Sequence, residues 1–76
     1  MAHVAPPDRY AGVALAVRLV ALIRRKAKTR AELAETLGVH ERTIRRLIDA
    51  LRAGGIAIEQ VRVPPSPALR YRSRHR

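Results

Sequence analysis

Two amphipathic segments separated by one glycine, between residues 29 and 53, constrain the fold more than any other feature of the chain. In both segments the apolar residues recur with the i, i+3, i+4 spacing of a helix that buries one face. They are Leu33, Ala34 and Leu37 in the first segment and Ile44, Leu47, Ile48 and Leu51 in the second. Gly38 lies between them, and glycine adopts a left-handed backbone without a Cβ clash. We therefore predict helices at about 30–37 and 41–53, joined by a tight turn.

Capping and helix-breaking residues mark the limits of the helices. Thr29 is followed three residues later by Glu32, a capping-box pattern that predicts a helix start directly after Thr29. The pair Gly54–Gly55 predicts the end of the last helix. Residues 10–27 are rich in alanine, leucine and valine and predict another helix. Residues 1–9 contain two prolines and no periodicity, so they are predicted to form a flexible N-terminal arm.

After the glycine pair, the chain changes to the alternating pattern of a β-strand. Ile56 and Ile58 lie on one phase of the alternation, whereas Val61 and Val63 lie on the other. A phase change within a β-branched run predicts a strand with a bulge, here near Gln60.

A return strand is predicted beyond a proline-rich loop. Three of the residues 64–67 are prolines, which cannot lie inside a sheet, so this segment is predicted to be a loop. Leu69 and Tyr71 then alternate with arginines as a second strand. The pattern predicts a mainly α fold with a small β-hairpin, a three-helix winged helix-turn-helix. Its wing spans about 56–72, and residues 73–76 form a basic C-terminal tail.

The chain carries a large excess of positive charge. Sixteen basic and six acidic residues give a formal net charge of +10 over 76 residues, and 14 of the basic residues are arginine. This excess predicts a polyanionic partner, because the planar guanidinium of arginine pairs bidentately with phosphate or guanine. RNA binding, ribosomal attachment or a membrane surface would fit the same composition. A GC-rich genome would also raise the arginine content.

Residue types that the chain lacks exclude several classes of protein. It contains no cysteine, which excludes disulfides and thiolate metal sites and favours a reducing cytoplasm. The longest apolar run, residues 13–23, is interrupted by Arg18 and is too short to span a membrane. The histidines are isolated, no carboxylates are paired for acid–base chemistry, and no glycine-rich phosphate loop is present. We therefore predict no catalytic residue, no metal site, no cofactor and, in so short a chain, no small-molecule effector domain.

The order AELAETLGVHERTIRRLIDALRAGGIAIEQVR resembles the winged helix-turn-helix of DeoR-type and biotin-repressor-type bacterial regulators. The resemblance covers roughly residues 10–72 as one domain. In that family a glycine pair precedes Ile-x-Ile-Glu and a strand, as at residues 56–59, and the wing returns into a tyrosine that Tyr71 matches. The glycine-rich wing turn of the family is replaced here by PPSPAL, so wing-tip contacts made in relatives do not transfer. The resemblance implies binding to double-stranded DNA, with helix 41–53 in the major groove.

Three residues on the exposed side of that helix are predicted to read bases. The first residues of a recognition helix lie deepest in the major groove. The candidates are Arg42, Thr43 and Arg46, since arginine chelates guanine and a threonine methyl contacts a thymine methyl. The alternative is a solvated basic face in which Asp49 pairs with Arg42 or Arg46.

A second set of residues is predicted to contact phosphates. Helix starts attract phosphate through their free N–H groups and the helix dipole, and arginines further round the surface reach the DNA backbone. The set comprises Thr29, Arg30, His40, Arg45, Arg52, Arg70, Arg72 and Arg74. For His40, capping of the following helix is the favoured alternative. For the alternating arginines from residue 70 onward, which share one side of an extended chain, the alternative is a disordered solubilising tail.

The first helix carries more apolar surface than one core needs. Its large apolar side chains cover roughly 220° of the circumference, against somewhat over 100° for a one-sided surface helix. Either the wing and the arm wrap this helix, or part of it meets a second subunit. In the second case Val13, Val17 and Val20 form the dimer contact.

The function that fits these patterns best is sequence-specific binding of double-stranded DNA. We expect a small cytoplasmic, nucleoid-associated transcriptional repressor that acts by occlusion as a homodimer. One alternative is a phage-type excision factor or architectural factor that bends DNA. Another is a winged helix that serves as a protein-interaction module. RNA binding is disfavoured because only two tyrosines are present to stack on bases.

Overall fold

Three helices followed by a two-stranded antiparallel hairpin form the computed structural model, which describes the backbone of residues 7–74 and the side chains of residues 11–74. The elements are α1 (Pro7–Arg25), α2 (Arg30–Leu37), α3 (Glu41–Ala53), β1 (Ile58–Arg62) and β2 (Leu69–Ser73). This order confirms the predicted fold class, the three-helix winged helix-turn-helix. Helices α2 and α3 span the residues predicted for them.

Helix α1 begins three residues earlier and ends two residues earlier than predicted. Pro7 occupies the first helical position, where its fixed φ suits a helix and its missing amide hydrogen is not needed. At the other end the chain leaves the helix because Lys28 pairs with Tyr71. The Lys28 amide donates to the Tyr71 carbonyl at 3.1 Å, and the Lys28 carbonyl accepts from the Tyr71 amide at 2.7 Å. Residues 7–9 of the predicted arm are therefore helical, and residues 1–6 lie outside the described residues.

Helix α2 has the predicted capping features at both of its ends. The Glu32 amide donates to Thr29 Oγ1 at 3.0 Å, and the Thr29 amide donates to Glu32 Oε1 at 2.9 Å, which completes a capping box. At the other end Gly38 adopts the left-handed conformation with φ 70°, and its amide donates back to the last turn. These caps set the sharp turn that carries the chain into α3.

One apolar core joins the three helices to the wing. Its fully buried side chains are Leu19, Ile23, Leu33, Ile44 and Ile48. The wing contributes Ile58 and Tyr71, which are each 7% exposed. A two-stranded hairpin is only marginally stable alone, so these two residues anchor the wing to the helices.

The wing strands pair without interruption, and the predicted bulge near Gln60 is wrong. Five consecutive pairs run from Ile58 opposite Ser73 to Arg62 opposite Leu69. Only the first part of β1 meets the core, because Ile58 is buried whereas Gln60 is exposed. Beyond Ile58 the strand has left the core, so no apolar residue is needed on the face that Ile58 occupies. The apolar residue can therefore change face at Val61 without the extra residue of a bulge.

The predicted basic tail is partly built into the sheet. β2 continues to Ser73, whose side chain is buried, and the Arg74 amide donates to the Ala57 carbonyl at 2.9 Å. The prediction of a tail from residue 73 is therefore wrong for residues 73 and 74. Residues 75 and 76 lie outside the described residues.

Candidate nucleic-acid interface

Helix α3 presents its first turns to solvent because its apolar side is buried. Ile44 and Ile48 are 0% and 1% exposed, which fixes the rotation of the helix in the core. The residues that line the open depression at its start are His40, Glu41, Arg42, Thr43 and Arg46. All of them are exposed except Thr43, which is partly buried. The three residues predicted to read bases thus lie together on one surface.

The arginines of this surface have no partner within the described part of the chain. Arg42, Arg45 and Arg46 make no hydrogen bond or ion pair with any residue from 11 to 74. Asp49 forms no ion pair within the same range, so the alternative in which it neutralises the start of α3 is not observed. Each guanidinium group keeps all five of its N–H donors for an external acceptor.

His40 caps α3 through its backbone and not through its ring. It occupies the N-cap position with extended backbone, and its carbonyl accepts from the amides of Thr43 and Ile44. The side chain makes no cap hydrogen bond, so His40 takes the cap position without a contribution from its ring. The exposed ring lies beside the base-reading candidates instead.

An ion pair joins the starts of α2 and α3. Arg30 Nε lies 3.3 Å from Glu41 Oε1, and the two side chains are 43% and 55% exposed. The pair neutralises the one carboxylate in the depression at the start of α3. Only one of the Arg30 donors is used, so the remaining N–H groups face solvent beside Thr29.

Arg52 is bound into the fold. Its Nε donates to the Ile58 carbonyl at 3.1 Å, and its guanidinium lies 5.9 Å from the centroid of the Tyr71 ring. A cation over an aromatic face at this distance is attracted by the ring quadrupole. Arg52 therefore clamps the end of α3 to the wing, a role that sequence reasoning did not find.

The arginines of β2 also have internal partners. Arg70 donates to Glu32 Oε1 at 2.8 Å and to the Ala27 carbonyl at 3.4 Å. Arg72 forms an ion pair with Glu59, and Arg74 lies 3.6 Å from the other oxygen of that carboxylate. Two carboxylates therefore partly compensate the strip of arginines that was predicted to follow phosphates.

The family comparison agrees with this geometry. A family model described as HTH domain matches residues 18–63, more than half of the chain, from the middle of α1 to the residue after β1. The chain belongs to the helix-turn-helix domain family. Membership in this family indicates that the partner is DNA and that the role is regulatory. No curated protein and no solved structure matches the chain at a significant level.

Within this helix-turn-helix domain, a second depression lies between the wing and the helix starts. Its lining residues are Thr29, Arg30, Ala31, Glu41, Gln60, Leu69 and Tyr71. Gln60, the residue at which a bulge was predicted, contributes an exposed amide to this surface. The change of phase between Ile58 and Val61, on either side of Gln60, was the only sign of it in the sequence. The depression continues the surface that starts at α3 across to the inner face of the wing.

The helix-turn-helix domain shows neither a membrane span nor a metal cluster in its described part. No helix among the described residues is long and apolar enough to cross a membrane. No group of three or more histidine, cysteine or acidic residues in that part is arranged to hold a metal ion.

Glu32 links the cap of α2 to the wing. The hydrogen bond from the Thr29 amide is the main cause that lowers the pKa of this carboxyl below the ordinary value of 4.5. Desolvation opposes the shift, whereas the positive charges of Arg70 and Lys28 add to it. The ionised form is therefore the one that the fold stabilises.

We expect Glu32→Gln to lower the free energy of unfolding by about 0.5–1 kcal/mol at pH 7. The glutamine still caps the helix but loses the charge that faces Arg70, and the 44% exposure of Glu32 limits the loss. Because the folded-state pKa is depressed, this contribution is complete above pH 4.5 and disappears as the pH falls through the folded-state pKa. Urea unfolding of both proteins at a series of pH values measures it.

Glu35→Gln on the exposed side of α2 is the matched control and should leave stability nearly unchanged. A gap between wild type and Glu32→Gln that stays constant down to pH 2 would contradict the role assigned to the charge.

Proposed function

We propose that this helix-turn-helix domain binds double-stranded DNA sequence-specifically, with α3 in the major groove, and acts as a small transcriptional repressor by occluding its site. The observation that carries the proposal is the group of exposed, unpaired side chains at the start of α3. Arg42 and Arg46 supply guanidinium donors that match the O6 and N7 acceptors of guanine. Thr43 lines the same depression, where its methyl group can contact a thymine.

We further propose that a set of residues around the start of α3 contacts phosphates, with strengths that depend on how many donors each residue keeps free. Arg45 has no internal partner and is the strongest candidate. Thr29, Arg30 and His40 lie at the starts of α2 and α3, where N–H groups and the helix dipole favour an anion. Arg52, Arg70, Arg72 and Arg74 use some of their donors internally, so they would contact phosphate only through the donors that remain.

Specificity is tested by Arg42→Ala and Arg46→Ala. Each substitution should cost about 1–3 kcal/mol of binding free energy on the preferred duplex and much less on random DNA. The reason is that a guanine contact can be lost only where the duplex has a guanine at that position. The preferred duplex is obtained by selecting bound sequences from a random pool. Fluorescence anisotropy with both duplexes then gives the affinities.

Two control variants separate base reading from general charge. Arg45→Ala should weaken binding to both duplexes equally, as expected for a phosphate contact. Arg18→Ala removes a charge from the exposed side of α1 and should change both affinities little. If Arg42→Ala and Arg46→Ala behave like Arg45→Ala, they contact phosphates and the proposed base readout is wrong.

One observation favours an architectural role as the second candidate. Lys26, Lys28, Arg70 and Arg72 line a cleft between the end of α1 and the proline-rich wing tip, where Glu32 is the one carboxylate among the described lining residues. A second basic surface would allow the domain to contact a duplex that bends around it. A bend in the bound duplex, measured by circular-permutation mobility, together with a weak sequence preference would favour this role over repression.

A further inference from the structure

One carboxylate lies within the otherwise basic surface at the start of α3. Glu41 is the first residue of this helix, and its side chain is 55% exposed. Among the described residues it lines both the depression at the start of α3 and the depression that continues towards the wing. A carboxylate on a surface that faces DNA is repelled by the phosphates. It therefore weakens binding unless the DNA offers it a hydrogen-bond donor.

The ion pair of Glu41 holds its side chain towards α2. Arg45 follows four residues later on the same helix, at the spacing that allows a glutamate and an arginine to pair on a helix surface. The carboxylate pairs instead with Arg30 of α2, and Arg45 forms no ion pair with any residue from 11 to 74. Arg30 contacts only Oε1, so Oε2 has no hydrogen-bond partner in that part of the chain. One oxygen of Glu41 is therefore free to accept from a ligand.

We infer that Glu41 is a specificity-determining residue that accepts a hydrogen bond from a cytosine, an inference that rests on the proposed binding of α3 in the major groove. A carboxylate only accepts hydrogen bonds, and the donors in the major groove are the N4 amino group of cytosine and the N6 amino group of adenine. Adenine also presents its N7 acceptor beside the amino group, and that lone pair repels a carboxylate. Cytosine presents the donor alone, so it is the base that Glu41 selects.

Arg30 is the positioning residue for this contact. Its Nε lies 3.3 Å from Oε1 of Glu41, which leaves the four N–H groups of its two terminal nitrogens for a phosphate. One guanidinium can therefore bind the DNA backbone and the carboxylate at the same time. A phosphate held in this way fixes where the free oxygen of Glu41 meets the base edges. Lysine carries its charge on a single nitrogen and cannot form the same fork.

Glu41 also lowers the affinity for every sequence that lacks the cytosine. On such sequences its charge opposes the phosphates, and no base donor compensates for the repulsion. The same side chain thus strengthens binding to the preferred duplex and weakens binding to random DNA. A residue that only joined α2 to α3 would affect both duplexes equally, so the two roles can be distinguished by measurement.

Glu41→Gln tests the inference, because it keeps the shape of the side chain and removes its charge. Selection from a random pool should give a cytosine at one position for the wild type and no preferred base there for Glu41→Gln. Replacing that cytosine with thymine puts a carbonyl oxygen in place of the amino group. The replacement should weaken wild-type binding about tenfold and Glu41→Gln binding less than about twofold, because an amide can also donate. On random DNA, Glu41→Gln should bind about threefold more tightly than the wild type.

Two further variants are measured on the same duplexes. Glu35→Gln removes an equal charge from the exposed side of α2, outside both depressions, and should change neither the affinities nor the preference for cytosine. Arg30→Lys should keep the affinity for random DNA within about twofold and lose most of the preference for cytosine. If Arg30→Lys keeps that preference, Arg30 does not position Glu41.

The results separate this inference from the proposed function. Far-UV circular dichroism checks that the helices of each variant are intact. If Glu41→Gln still requires the cytosine, or binds both duplexes more weakly, Glu41 only joins α2 to α3 and the inference is wrong. A wild-type protein that selects no sequence would instead contradict the proposed function on which the inference rests.

Discussion

Raising the monovalent salt concentration from about 50 to about 200 mM is expected to weaken DNA binding about a thousandfold. A protein that neutralises about six phosphates releases their condensed counterions, which gives a log–log slope near −5. The candidates for these contacts include Arg45, which keeps all of its donors, and Arg30, which uses one of them in the ion pair with Glu41. The arginines of β2 are partly neutralised by carboxylates, so they should add less to the slope than their number suggests.

Fluorescence anisotropy with a short labelled duplex over this salt range measures the slope. Arg45→Ala should make the slope shallower by about one, as expected for one lost phosphate contact, and Arg18→Ala should not change it. A wild-type slope shallower than about −2 would remove the major-groove proposal. It would favour instead the alternative in which the winged helix serves as a protein-interaction module.

Replacing Ile44 with alanine is expected to lower the free energy of unfolding by about 2–5 kcal/mol. Ile44 is 0% exposed, and its side chain joins α3 to the shared core. A chain of 76 residues has a total stability of only roughly 4–11 kcal/mol, at about 0.05–0.15 kcal/mol per residue. The substitution therefore removes a large part of what keeps the recognition helix in place, and DNA binding should fall with the folded fraction.

Urea unfolding followed by far-UV circular dichroism measures this loss. Leu69→Ala is a suitable control, since Leu69 is 44% exposed near the wing tip and should cost less than about 1 kcal/mol. If both substitutions cost the same, the core is not organised around α3 as described.

Local rules were sufficient to predict the helices and their turn. The capping box depends on Thr29 and Glu32, which are three residues apart, and the left-handed turn depends on Gly38 alone. The rotation of α3 follows from the spacing of its own apolar residues, so the exposed positions of Arg42 and Arg46 could also be predicted. Each of these features is decided within one or two helical turns of sequence.

Contacts between distant residues could not be predicted in the same way. Arg70 and its partner Glu32 are 38 residues apart, and Arg52 binds a carbonyl that lies beyond the glycine pair. Alternation along β2 correctly placed its arginines on one side, but it did not show that carboxylates would face them. The bulge near Gln60 was inferred from phase alone, and the phase changed because the strand leaves the core.

The contrast between the two sets of arginines has an evolutionary consequence. Arg42 and Arg46 contact no other described side chain through hydrogen bonds or ion pairs, so exchanging them should alter stability by no more than about 0.5 kcal/mol. Arg52 and Arg70, by contrast, hold the wing to the helices, and their loss would disturb the scaffold. Under the proposed base readout, descendants of this domain can therefore acquire new target sequences through mutations at the start of α3 without first acquiring a compensating stabilising mutation.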